Sequence, residues 1–301
     1  MLQLAGLAGW MLLWLIPYRG VYFVLYAIGW FRLLQPCDPG RRAGFGYVVW
    51  VTTVREAVDR LLPVASIGGG IVGVRLLCWR GLSSIQVAAS VVIEILLTLG
   101  ALYVFTVLGM LLLAAAPGAS LQFLHVLPIL LLSLPVPVMT AILLRYGSVF
   151  ERLEGFLRPI VGVTALSDGA AALDKALRAF FSRRSTLLFA GILQLLALIS
   201  GSLEIWFVLR LLGHPIGFST SIALESLTQA IRHLIFIVPA GIGVQEASLV
   251  LLGHALGISN ELALAVSLAK RIREVLCGLP SLISWQFLEL RRLRAPVTRS
   301  P

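Results

Sequence analysis

Ionisable residues sit inside apolar stretches of this chain at several places, and their spacing suits ionic chemistry. "SLAKRIREVLCGLP" places Lys270, Arg271, Arg273 and Glu274 in close succession. "VTTVREAVDRLLPV" carries Arg55, Glu56, Asp59 and Arg60. Arg232 and His233 come just before the break in "FIVPAGIGVQEASLV", and Gln245 and Glu246 come just after it. Arg75 lies near the end of "IVGVRLLCWRG". Residues four apart share a helix face, so Arg55 with Asp59, Glu56 with Arg60, and Lys270 with Glu274 are expected to pair. Arg273 lies to one side of the last pair and can reach another partner. Glu94 and Glu204, in long apolar runs, read as buried, paired or protonated acids. Cations gathered in this way could ring one polar cavity, with the carboxylates balancing them. No metal-ligand spacing, nucleophile elbow or P-loop accompanies them. No catalytic residue, metal or cofactor is assigned.

The setting of these charges gives them weight. The chain has 301 residues, is 59% hydrophobic and 13% charged, and has a mean hydropathy of +0.97. Soluble proteins carry about 25% charged residues. Several runs are long enough to cross ~30 Å of hydrocarbon, and they are continuously apolar, which points to helices and away from a barrel. The fold class is all-α, a polytopic membrane protein. A charge at mid-membrane costs ~3 kcal/mol on an insertion scale, so such residues normally face the protein interior and pair. The net charge of +10 comes from basic residues that mostly flank apolar runs. They read as topology signals that mark the cytoplasmic side and not as a nucleic-acid surface. Cys37, Cys78 and Cys277 read as apolar fillers.

The chain reads as a single transmembrane domain over 1–301. About five full spans are expected, at 8–33, 85–115, 121–144, 186–212 and 261–288. Two further segments are too broken to span comfortably. Residues 46–80 break at Gly68, Gly69 and Gly70, and residues 218–257 break at Pro239, Gly241 and Gly243. Broken helices survive at membrane depth only where protein buries them or a polar cavity wets them. Both segments therefore read as re-entrant hairpins, the first from the cytoplasm and the second from the opposite face. After the second break a new helix presents free N–H groups and a positive dipole end, a ready anion site with Glu246 in its first turn. The hairpins echo one another: Gly68 and Gly70 match Gly241 and Gly243, and "RGLS" at 80–83 matches "LGIS" at 256–259. Two copies in opposite orientation would form an inverted repeat, as in many transporters. Residues 146–184 are basic with apolar positions at helical spacing, which suggests amphipathic helices on the inner leaflet. "RRLR" at 291–294 places the C-terminus in the cytoplasm.

"REAVDRLLPVASIGGGIVGVRLL", "VPAGIGVQEASLVLLGHALGIS" and "SLAKRIREVLCGLPSLISW" resemble the lysylphosphatidylglycerol synthase transmembrane, flippase-like superfamily. Within it they look most like the hopanoid-biosynthesis-associated branch. The resemblance implies an inner-membrane protein that handles a lipid, either a hopanoid or a phospholipid. On that analogy Glu246, Arg273 and Glu274 line a headgroup path. The soluble aminoacyl-transfer domain of the synthases has no counterpart here, so synthase activity is not expected. The leading expectation is a lipid flippase or transporter. One alternative is an intramembrane lipid-modifying enzyme built on Asp59 and Arg55. Another is a non-catalytic partner of lipid-biosynthesis proteins that docks through 146–184. A small-solute permease is a further reading.

Overall fold

The computed structural model describes residues 15–62, 68–115, 135–147, 167–235 and 241–294. Ten α-helices and one short 3-10 turn, with no strand, make up the secondary structure of those residues. In order they are α1 (Leu15–Leu34), α2 (Phe45–Leu61), α3 (Gly68–Cys78), α4 (Ser84–Ala114) and α5 (Pro135–Tyr146). Then come α6 (Ser167–Phe181), α7 (Arg184–Leu211), α8 (Phe218–Leu234), α9 (Val244–Ala255) and α10 (Asn260–Arg294). Most of the span expected at 121–144, the first part of the basic segment 146–184, and Pro239 lie outside the described residues.

Helices α4 and α7 are long and apolar enough to cross a membrane, with 31 and 28 residues and mean hydropathies of 2.4 and 2.0. At 1.5 Å per residue each exceeds the ~30 Å of bilayer hydrocarbon. Helix α10 is longer still, at 35 residues. Lys270, Arg271, Arg273 and Glu274 interrupt its apolar run partway along.

The connections place the helix ends. The Tyr47 hydroxyl donates to Leu76 O at 2.7 Å, and the Arg80 guanidinium lies over the Tyr47 ring. Helices α2 and α3 are therefore a hairpin that returns to its own starting end. Arg42 donates to Gly81 O, Arg292 lies over Trp79, and Arg32 lies over Phe189. These contacts gather the end of α1, the α2–α3 hairpin mouth, the start of α7 and the end of α10 at one arginine-rich end. Helix α6 packs there too, burying Leu177 and Phe180 and leaving Lys175 and Arg178 exposed. Its apolar side is covered by protein.

A second apolar core lies towards the other end. It joins Ala223, Leu224 and Leu227 of α8, Leu249 and Leu252 of α9, Ile258, and Ala263, Val266 and Ala269 of α10, with Ile205 and Leu209 of α7. The α8–α9 hairpin thus starts and finishes at the end opposite to α2–α3.

The two halves share local geometry. Helices α2 and α8 are both 17 residues long, and each starts after an extended glycine, Gly44 or Gly217. Helices α3 and α9 have 11 and 12 residues. Each short helix is followed by a glycine with positive φ, Gly81 at 78° and Gly257 at 77°. Few residues other than glycine tolerate that conformation. A serine then leads into the long helix in both halves, Ser83 into α4 and Ser259 into α10. The short echo "RGLS" and "LGIS" therefore encodes one turn used twice.

Close helix approach depends on particular glycines. A side-chain Cβ at Gly109 of α4 would overlap Ser226 Oγ and come within 3.3 Å of the Ala223 backbone on α8. At Gly100, one face away, nothing lies within 4 Å. Gly109→Val is expected to lower stability in detergent by about 1–3 kcal/mol, an overpacking cost, while Gly100→Ala stays near wild type. Thermal melts of the two purified variants check this, and equal melting temperatures would count against the described α4–α8 contact.

Candidate functional site

An ionic layer separates the two apolar cores. The first core holds Trp30, Leu33, Val48, Val51, Leu76, Val87 and Ile93. The charges sit between it and the second core, on α1, α2, α4, α7, α8, α9 and α10. The long helices α4, α7 and α10 contribute charge partway along, and α2, α8 and α9 contribute it at or near the inner ends of their hairpins.

Seven of these groups form one connected chain. Arg19 Nη2 of α1 meets Glu56 Oε1 of α2 at 2.8 Å, and Arg60 Nε meets the same oxygen at 3.0 Å. Arg60 Nη1 then lies 3.9 Å from Glu274 Oε1 on α10. Arg232 Nη1 of α8 reaches that same Glu274 oxygen at 3.4 Å. Arg271 Nη1 takes the other Glu274 oxygen at 3.2 Å, and its Nε meets Glu246 Oε1 of α9 at 3.1 Å. Arg60 lies in the last turn of α2 and Arg232 in the last turn of α8. The inner ends of both hairpins therefore converge on one carboxylate. Four arginines and three glutamates make the chain, so one positive charge is in excess when all are ionised.

Hydrogen bonds extend it. Arg232 donates to Gln245 Oε1 at 2.8 Å, Gln245 donates to Ser267 Oγ, and Ser267 donates to Glu246 Oε1. Arg271 also donates to Gly241 O at 3.0 Å. A Cβ at Gly241 would press on the Arg232 side chain, and its φ of 61° suits glycine as well.

Three buried pairs brace the layer from outside this chain. Arg55 meets Glu94 at 2.6 Å and lies over the Trp30 ring. Lys270 pairs with Glu225, which also accepts from Gln229. Arg273 meets Glu204 at 2.6 Å. Each pair ties two different helices.

These contacts correct two pairings expected from spacing. Lys270 goes to Glu225 on α8 and not to Glu274, and Arg55 goes to Glu94 on α4 and not to Asp59. An intrahelical pair stabilises by only about 0.2–0.5 kcal/mol, and a partner on a facing helix in a low-dielectric interior interacts more strongly. The Glu56–Arg60 pair does form. Asp59 instead accepts from the Gly69 N–H at 2.8 Å and caps α3. A Cβ at Gly69 would strike the Asp59 carboxylate and the Arg55 carbonyl. Gly68, Gly69 and Gly70 thus lie in the first turn of α3. Residues 63–67, which precede it, lie outside the described residues. Glu246 plays a similar part in the second hairpin, where the Gly243 N–H donates to Glu246 Oε2 at 2.8 Å. The positive end of α9 is therefore met by its own glutamate, and that glutamate also joins the ionic chain.

Two expected residues lie at the margin. Arg75 pairs with Glu289 at the arginine-rich end, its side chain 59% exposed. His233 is exposed beside Arg232. Arg19 and Glu225 were absent from the expected set, although each is a single charge inside an apolar run and such charges invite a functional reading. Arg271, adjacent to expected residues, proves to be the link between Glu246 and Glu274.

A narrow cleft of about 10 Å³, room for about one water, lies against this layer, bordered by Arg19, Thr53, Glu56, Arg60, Arg273, Glu274 and Cys277. Arg19 is buried, and its Nε has no hydrogen-bond partner among the described residues. A donor left unsatisfied in this way costs about 1–3 kcal/mol.

Long apolar helices enclosing a buried ionic layer define a membrane protein whose polar chemistry is internal. The chain belongs to the family of the lysylphosphatidylglycerol synthase TM region, whose model matches residues 3–280. That family suggests a lipid-related function in the membrane. No curated protein and no solved structure gives a significant match.

Removing one member of a buried pair leaves an uncompensated charge that costs about 3–5 kcal/mol, whereas replacing both by apolar groups is often neutral. Glu225→Leu is expected to destabilise the protein strongly, and Glu225→Leu with Lys270→Met to recover most of that loss. A double-mutant cycle of unfolding in detergent measures it. Additive losses would show that the two side chains do not interact.

Proposed function

We propose that this protein moves a polar-headed lipid between membrane leaflets, with the headgroup passing through the Arg–Glu layer while the tails remain in hydrocarbon. One observation carries the reading: Arg60 and Arg232, from hairpins that begin at opposite ends, share one oxygen of Glu274. A headgroup entering there can exchange ion pairs with its own charges without leaving an arginine uncompensated. The lone donor at Arg19 and the single excess positive charge favour an anionic or polyhydroxy head.

The topology proposed is alternating access with the hairpins re-entrant from the two faces, as an inverted repeat. Arg32, Arg41, Arg42, Arg80 and Arg291–Arg294 mark one end, and Arg210 and Glu261 are the main charges near the other. By the positive-inside rule the first end, with the C-terminus, is cytoplasmic, in a bacterial inner membrane. The lipid is a hopanoid or a phospholipid, the former suggested by the sequence resemblance alone. Lipid-biosynthesis proteins are proposed partners.

The enzyme reading is less favoured because its acid–base pair is not assembled: Arg55 faces Glu94, and Asp59 caps α3. Residues 148–166 of the docking surface of the complex-partner reading lie outside the described residues.

Reconstituted protein is expected to speed leaflet exchange of a fluorescent phosphatidylglycerol. Glu274→Gln and Arg60→Gln should each slow it about tenfold or more, because a charged partner is lost from the path. Dithionite quenching in proteoliposomes reads the rate. Wild-type exchange by both variants, with folded protein, would refute the headgroup path.

A further inference from the structure

The ionic layer accounts for the head of a lipid. Beside it lies an apolar feature that the layer does not explain. Helices α4 and α8 cross in close contact at Gly109 and Ser226. From that crossing they diverge, and a cleft of about 100 Å³ opens between them. Its walls are Leu99, Leu102 and Tyr103 on α4 and Ala230, His233 and Leu234 on α8. Thr106 also borders it, but its hydroxyl is turned back onto Leu102 O at 2.7 Å. The surface presented is therefore almost wholly apolar.

Two features say what fills it. The first is place. Leu99 is ten residues before Gly109, so the wedge runs ~15 Å along α4. Its wide end is at His233 and Leu234, directly after Arg232, which is in the ionic chain. His233 also lies within electrostatic reach of Arg60 and Glu56, so the mouth of the wedge is near the headgroup layer. The second is exposure. Val104 and Val107 of α4 and Leu234 of α8 are outward-facing large apolar residues flanking the wedge. In a membrane that surface meets acyl chains.

We propose that the α4–α8 wedge holds one apolar chain of the lipid whose headgroup occupies the Arg–Glu layer. This rests on the lipid-handling reading above. The occupant is a lipid chain, because a water-filled slot needs polar partners and the wedge wall is mainly apolar, with Tyr103 and His233 its polar-tipped members besides Thr106. Seating the chain keeps one tail against the protein while the head moves. It also makes the wedge a measure of chain length: a chain too short to reach Thr106 and Ala230, at the narrow end, gains little from it.

The test uses full-length protein in proteoliposomes and two fluorescent phosphatidylglycerols, one with a palmitoyl chain and one with a hexanoyl chain. Ala230→Phe fills the wedge without touching the ionic chain. It is expected to slow palmitoyl-lipid exchange about tenfold, the loss of roughly two buried methylenes, and to leave hexanoyl-lipid exchange unchanged. An equal effect on both lipids, or on neither, overturns the proposal. A second readout guards against a misfolded variant. A phosphatidylglycerol with a diazirine at the middle of its chain is photolysed on wild-type protein, and labelled peptides are mapped. Label on Tyr103 and Leu234 in excess of Leu188 and Ile192, exposed on α7, supports the wedge. Even label over these positions overturns it. Wedge label without leaflet exchange would refute the flippase reading and leave the wedge standing. Exchange that fails in Glu274→Gln but shows no wedge label would do the reverse.

Discussion

Charge buried between two apolar cores is the constraint that organises this molecule. A guanidinium or carboxylate surrounded by hydrocarbon must find a partner, and on these helices the partner is almost always on another helix. Lys270 ties α10 to α8, Arg273 ties it to α7, and Arg55 ties α2 to α4. Helix crossing and side-chain pairing are therefore one problem. The ionic layer acts as a register mark that sets how far each helix slides along its neighbours.

The same constraint explains the two hairpins. A helix that starts inside the bundle leaves free backbone N–H groups at depth, and each such start is met by a carboxylate. Asp59 takes the Gly69 N–H, and Glu246 takes the Gly243 N–H. Glycine at 69 and 241 lets these side chains and Arg232 press against the turn. The acid after the second break is thus both the cap of its helix and a member of the charged path. Stability and proposed function draw on the same atoms. A headgroup that displaces Glu246 or Glu274 from an arginine would loosen a hairpin as it binds, which links occupancy to movement.

Much of this was legible in the sequence. The apolar runs around 85–115 and 186–212 gave α4 and α7, because uninterrupted hydrophobicity has one reading. The breaks in 46–80 and 218–257 were visible as glycine clusters, and the α2–α3 and α8–α9 pairs fall there. What spacing could not give was partner choice. Lys270 and Glu274 sit four apart and still turn to different helices, since the deciding neighbours, Glu225 and Arg60, are far away in sequence. The same blindness hid Arg19 and Glu225: each is a lone charge, with nothing nearby in the chain to make it stand out. The wedge between α4 and α8 was equally hidden, because it follows from where Gly109 meets Ser226.

A headgroup can pass through the ionic layer only if that layer opens to water at some stage of the cycle. Cys277 borders the cleft beside Glu274 and is only partly buried. With Cys37 and Cys78 changed to serine, its labelling by a charged, membrane-impermeant methanethiosulfonate tests that claim. The account predicts reaction at a rate comparable to that of an aqueous thiol, slowed when a lipid substrate is added. Reaction only with a lipid-soluble reagent would contradict it.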